Sequence, residues 1–290
     1  MALVSLMCRL LGVLSPQEIS SRPWLLDSER SLFAQSNVSP EWAQKDGWGI
    51  GWFDTEGRIH VQKGIRGAFE PSEKEHFRLI AGSARSHNLI GHLRHASNPM
   101  NLPREQLLSL VNSQPFEDGQ TLFGHNGAIP LPRETRPLLG PLDGKVQGVN
   151  DSEVLYWLLE KHFLESGDAR DAYVRARADL VDVWERHGRP EKGPWSGLNV
   201  LFAPAPDELW AFCCYHGEYG HNLCDEGQPY YQMSYQETPT ALVIGSEPFD
   251  SHRENWNALS NGEFLHGRIH NGRVLVEKGT LPQLSPVLTH

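Results

Sequence analysis

Two helical stretches stand back to back in the middle of this chain with β-rich runs on either side, and that order limits the fold more than any other feature. "NDSEVLYWLLEKHFLES" (150–166) sets Val154, Leu155, Leu158 and Leu159 on one face at helical spacing, with Asp151 or Ser152 available as its cap. "ARDAYVRARADLVDVWERHG" (169–188) is the second helix, ending at Gly188 with Pro190 just beyond. Upstream, "GWGIGWF" and "GRIHVQKG" flank Asp54-Thr55-Glu56-Gly57 as a hairpin. "NLIGHLRHAS" and "TLFGHNG" are further β-rich runs, separated by a loop with Pro99, Pro103 and Pro115. Downstream, "GLNVLFA", "ELWAFCCY" and "TALVIGS" return to strands, and "EFLHGRIHNGRVLVEKG" closes as a hairpin on Asn271-Gly272. Strands, two helices and strands again predict an α+β fold with two antiparallel sheets. No repeat or linker divides the chain, so one domain is expected over residues 8–280, with 281–290 as a tail.

Several function classes fall away on composition. With 39% hydrophobic residues, 9 Trp and 11 Phe, the 290 residues can fill a sizeable core. A formal net charge of −10, spread without long runs, argues against a nucleic-acid partner. The apolar start "MALVSLMCRLLGVL" lacks a basic leader and is interrupted by Arg9, with no small-residue cleavage site after it. A lipoprotein signal would put a small residue before the cysteine, and Met7 stands there. The run is also shorter than the roughly 20 residues of a membrane span, so no membrane and a cytoplasmic location are expected. Four cysteines in a chain this long do not make a disulfide framework. "CCYHGEYGHNLC" offers only His216, His221 and Cys224 at irregular spacing, so neither a metal nor another cofactor is expected. His92 and His95, if both on a strand, would face opposite ways.

The chemistry turns on Cys8 in "MCRLLG", which on this stretch alone reads first as a core thiol among leucines, with a nucleophile as the alternative. His-Asn-Gly occurs twice, at 125–127 and 270–272; the second copy sits between alternating runs and is a hairpin turn. The first lies in an ordered set: Cys8, then "HLRHAS", then "GHNG", then "NDSE". In "KDGWGI", Gly47 and Gly49 read as sites of close backbone approach, with Asp46 anchoring the turn.

That ordered set resembles the class II glutamine amidotransferases, which are N-terminal nucleophile hydrolases. The stand-alone bacterial type shares "MCRLLG", "KDGWGI", "HLRHAS", "QPF", "GHNG", "NDSE" and a late "SEPF" followed by a Trp, which covers Cys8 to about Trp256. The resemblance implies a four-layer α-β-β-α sandwich. It implies Cys8 as the nucleophile with its own α-amino group as base, and Asn126 and Gly127 as the oxyanion hole. Arg94, assisted by Ser97, would hold the α-carboxylate of glutamine, and Asp151 its α-ammonium. These roles agree with elementary chemistry. An α-amino group titrates at about 8 and can relay a thiol proton. A free amino acid head group needs a cation and an anion side by side.

An amide nitrogen cannot serve as that base. Either translation therefore begins at Met7, or residues 1–7 are clipped as a propeptide. The substrate implied is glutamine or a γ-glutamyl amide. The chain would be a glutaminase feeding a separate ammonia-accepting synthase or peptidase subunit, or else an amidohydrolase in its own right. Two other readings stand beside these: a non-catalytic γ-glutamyl-binding module with Cys8 blocked, and a metal-dependent hydrolase using His87, His92, His95 and His125.

Overall fold

The computed structural model describes residues 8–190, 193–217 and 219–284; the expectations for residues 1–7 and for the tail beyond 284 lie outside these. In chain order the early strands are β1 (Arg9–Ser20), β2 (Trp48–Phe53), β3 (Ile59–Gly64), β4 (Arg85–Leu93), β5 (Phe116–Glu117) and β6 (Leu122–Gly127). The later ones are β7 (Leu198–Ala205), β8 (Glu208–Cys213), β9 (Met233–Glu237), β10 (Leu242–Gly245), β11 (Asn257–Leu259), β12 (Glu263–His270) and β13 (Arg273–Thr280). Three longer α-helices are α1 (Lys74–Ser83), α2 (Asp151–Ser166) and α3 (Ala169–Arg186).

The strands form two antiparallel sheets, in the orders β11-β9-β10-β1-β4-β2-β3 and β13-β12-β8-β7-β6-β5. Leu10 and Leu14 of β1 enter the core between the sheets with Leu201, Leu209 and Leu265. Leu11 and Val13, on the other face of the same strand, pack outward with Trp48 and with Phe77 and Ala81 of α1. Both faces of β1 are covered, so "LLGVL" (10–14) is continuously apolar and shows no alternation. Beyond the second sheet, α2 and α3 bury Leu155, Tyr156 and Tyr173 against Phe123, Phe202 and Phe212. Helix, sheet, sheet, helix gives the four layers.

The expected hairpins form. Asp54 Oδ1 accepts from the backbone N–H of both Glu56 and Arg58, at 2.9 Å each, and closes the β2–β3 turn. At the β12–β13 turn Asn271 and Gly272 both have positive φ (50° and 72°), as a tight hairpin requires. The cap of helix α2 lies one residue before the two expected. Asn150 is the cap, its Oδ1 accepting from the Ser152 N–H at 2.9 Å, and Asp151 is the first helical residue. No helix among the described residues is long and apolar enough to cross a membrane.

Candidate active site

Cys8 stands at the entrance to β1, at one end of the sandwich, and is 7% exposed. Its Sγ lies 3.4 Å from the His95 carbonyl oxygen. Burial pushes the thiol up to about 11, against the pull of the Arg94 guanidinium, while the Asp151 carboxylate adds to the rise. A thiol held this way stays protonated at neutral pH, so any attack by it needs a base at hand.

Strand β6 crosses close to β1 through Gly124 and Leu10, and carries His125, Asn126 and Gly127 at its end. The backbone of His125 is clamped by Gln114, whose Oε1 accepts from the His125 N–H (2.6 Å) and whose Nε2 donates to its carbonyl (3.2 Å). The imidazole lies 2.9 Å from Ser152 Oγ on one side and 3.2 Å from the Gly197 carbonyl on the other. Asn126 pairs with Asn199 across β6–β7 and is fully buried, and neither its Nδ2 nor its Oδ1 has a partner among the described residues. An unpaired buried polar group costs roughly 1–3 kcal/mol. Gly127 has φ 154°, and a Cβ there would stand 1.7 Å from the Gly197 carbonyl oxygen, so only glycine fits.

Arg94 lies just past β4 and is 3% exposed, with Nη1 donating to the carbonyls of Leu107 (2.8 Å) and Asp46 (3.2 Å). The "KDGWGI" segment is zipped to it: Asp46 N–H donates to the Arg94 carbonyl at 3.1 Å, and Arg94 N–H to the Gly47 carbonyl at 2.9 Å. Asp46 also accepts from the Ala96 N–H (2.9 Å) and from Arg104. Gly49 packs where a Cβ would lie 2.0 Å from the Gln114 carbonyl oxygen, the close approach expected of it. Ser97 Oγ donates to Asp151 Oδ1 at 2.6 Å, and Ile129 N–H donates to Asp151 Oδ2 at 2.9 Å. Asp151 therefore tethers the "HLRHAS" loop and the strand end after Gly127 rather than capping its own helix.

The structure thus gathers Cys8, Arg94, Ser97 and Asp151 at one end, beside the strand that carries Asn126 and Gly127. Gln114 lies within the "QPF" motif, but its clamp on His125 joins residues eleven apart and has no local signature. Tyr231, whose hydroxyl donates to Ser196 Oγ at 3.1 Å, is reached only through the chain's return after β8. Among the described residues no group of three or more His, Cys, Asp or Glu is placed to hold a metal ion. His87 and His125 are each occupied with protein groups, and His95 lies beyond the end of β4.

Comparison with known proteins bears on the family and the fold. The family model described as "Glutamine amidotransferases class-II" matches residues 7–284. A gamma-glutamyl-hercynylcysteine sulfoxide hydrolase of Mycolicibacterium smegmatis is 28% identical over 205 residues, covering 71% of this chain and 70% of that protein. Its namesake from Mycobacterium tuberculosis is 30% identical over 166 residues, or 55% of this chain and 63% of that one. An amidophosphoribosyltransferase of Archaeoglobus fulgidus is 29% identical over 181 residues, 60% of this chain but 35% of that protein. A solved glutamine aminotransferase class-II domain protein from Silicibacter pomeroyi has the same fold. It superimposes with a TM-score of 0.62 at 19% identity, covering 95% of this chain and all of that one.

Proposed function

Because this chain belongs to the class II glutamine amidotransferases, we propose that it hydrolyses the γ-carboxamide of glutamine or of a γ-glutamyl amide through a thioester on Cys8. The observation that carries the reading is the Asn126 side chain, buried with both polar atoms unpartnered among the described residues. A ligand that hydrogen-bonds such a group explains it, and a tetrahedral oxyanion would accept from its Nδ2 donor. Removal of residues 1–7 turns the Cys8 amide into an α-amine. That amine takes the thiol proton as sulfur attacks and hands it to the departing nitrogen; water then releases glutamate from the thioester. Asn126 and the Gly127 N–H hold the oxyanion. Arg94 and Ser97 take the α-carboxylate and Asp151 the α-ammonium, all within one domain spanning residues 8–280.

Two of the relatives above are named as hydrolases of a γ-glutamyl compound, which favours direct hydrolysis. The likeness to an amidophosphoribosyltransferase favours a second reading, in which the released ammonia passes to a separate synthase or peptidase subunit. A reducing cytoplasm suits four cysteines that are all free thiols. Intact mass of the active protein tests the proposal: the active form is to begin at Cys8, and Cys8→Ala is to abolish hydrolysis. A fully active preparation that retains Met1 contradicts it.

A further inference from the structure

A cleft of about 410 Å3 opens beside the head-group residues, and Ser97, Ala128, Pro130, Trp195, His216 and Tyr219 bound it. Two of its edges belong to the proposed site. Ser97 is the partner of Asp151, and Ala128 directly follows Gly127. The far wall is tied to those edges by backbone: Ser196 N–H donates to the Ala128 carbonyl and His216 N–H to the Ser196 carbonyl, both at 3.0 Å. An aromatic surface lines that wall. The rings of Trp195 and His216 lie 5.0 Å apart, and Tyr219 meets Tyr231 edge-on at 4.9 Å. Tyr231 in turn donates to Ser196 Oγ at 3.1 Å and so backs this wall from within the core.

Among the described residues that line it, none is Asp, Glu, Lys or Arg. Burial, and then the Arg177 charge, pushes the His216 imidazole below its usual range, so at neutral pH that ring adds no charge to the described lining. The size is that of a small-molecule site, roughly 300–1,000 Å3. Ammonia, the leaving group of glutamine, is about the size of a water and needs only some 30 Å3.

We infer that this cleft holds the substituent on the γ-amide nitrogen, and that the preferred substrates are γ-glutamyl amides of amines bearing an aromatic or similarly flat apolar body. The inference rests on the hydrolase reading above. The S–C bond forms to give the tetrahedral oxyanion, the C–N bond breaks as that intermediate collapses to the thioester, and the thiol proton leaves with the amine. Water then gives glutamate and regenerates the thiol. A flat body stacked on the aromatic wall holds the leaving nitrogen over Cys8 while it takes that proton.

The test compares γ-glutamyl-phenethylamide with γ-glutamyl-ethylamide, whose leaving amines differ little in basicity. For wild-type protein kcat/KM is to favour the phenethylamide by about tenfold or more, the scale of a hydrophobic pocket's discrimination. In Tyr219→Ala and His216→Ala, both at the partly open side of the cleft, that ratio is to fall toward one. The same preference is to appear in the Kd values of Cys8→Ala, which binds without turnover. A ratio near one in wild type, or one unmoved in both wall variants, overturns the subsite. Absent turnover, with the Kd preference intact in Cys8→Ala and lost in Tyr219→Ala, overturns the hydrolase reading and leaves the subsite standing.

Discussion

An unpaired carboxamide inside a protein is tolerated where a ligand comes to meet it, and Asn126 is the residue on which this account is most exposed. Asn126→Ala removes no protein–protein hydrogen bond of the side chain, so the fold is to stand. Loss of an oxyanion donor is to lower kcat by roughly 10²–10³ with KM little changed. Asn271→Ala makes the matched control, since the residue sits exposed at φ 50° in the β12–β13 turn. It is to cost about 1 kcal/mol of stability, read as a lowered Tm, with turnover intact. Equal losses of kcat in both variants contradict the assignment. Arg94→Lys gives up the planar fork and is to raise KM on the order of tenfold with a smaller effect on kcat, measured by steady-state kinetics. Asp151→Asn is to act in the same direction, because both carboxylate oxygens hold the walls of the head-group site.

At the scale of elements, helix α2 and strand β6 position these groups. Asn150 caps α2 and its Nδ2 donates to the Asn112 carbonyl at 2.6 Å, so it sets where Asp151 points. Asn150→Ala is to cost roughly 1 kcal/mol of stability and to raise KM as well, while Asn150→Asp recovers the cap but not the Asn112 bond. Urea melts and kinetics on the two variants separate capping from positioning. The helix itself was readable from its apolar spacing, but its cap was not: Asn150, Asp151 and Ser152 are all good caps in a row, and only the tertiary demands on Asp151 decide among them. Strand β1 is the counterpart. Its two buried faces erase the alternation that marked β2 and β3, so Cys8 could be read only as core or nucleophile. The ordered motifs made Cys8, Arg94, Ser97, Asn126, Gly127 and Asp151 nameable as candidates. The Gln114 clamp and the aromatic wall from Tyr231 to Trp195 were not readable, since each joins distant segments through packing rather than through a local pattern.

Across the whole molecule, the layer between α2 and the second sheet carries a pH-dependent term. Glu160 is buried, with Thr121 Oγ1 donating to its Oε2 at 3.2 Å, and burial together with the nearby Asp118 charge raises its carboxyl to about 7. Because the folded value lies above the unfolded one of about 4.5, the folded state keeps a proton that the unfolded state loses. Stability contributed by this group therefore falls as pH rises from about 4.5 to 7 and is flat beyond. Glu160→Gln is to match wild type in Tm near pH 4.5 and to exceed it increasingly up to pH 7.5; a constant difference across that range contradicts the burial account. The most direct test of the central claim is the thiol itself. Burial also raises Cys213, Cys214 and Cys224, the last to about 12, so no cysteine is reactive by exposure alone. A diazoketone analogue of glutamine is to label wild-type protein once, and peptide mapping is to place the adduct on a peptide that begins with Cys8 and carries a free α-amine. An adduct on any other cysteine, or an unlabelled Cys8 in protein that still hydrolyses a γ-glutamyl amide, contradicts the account.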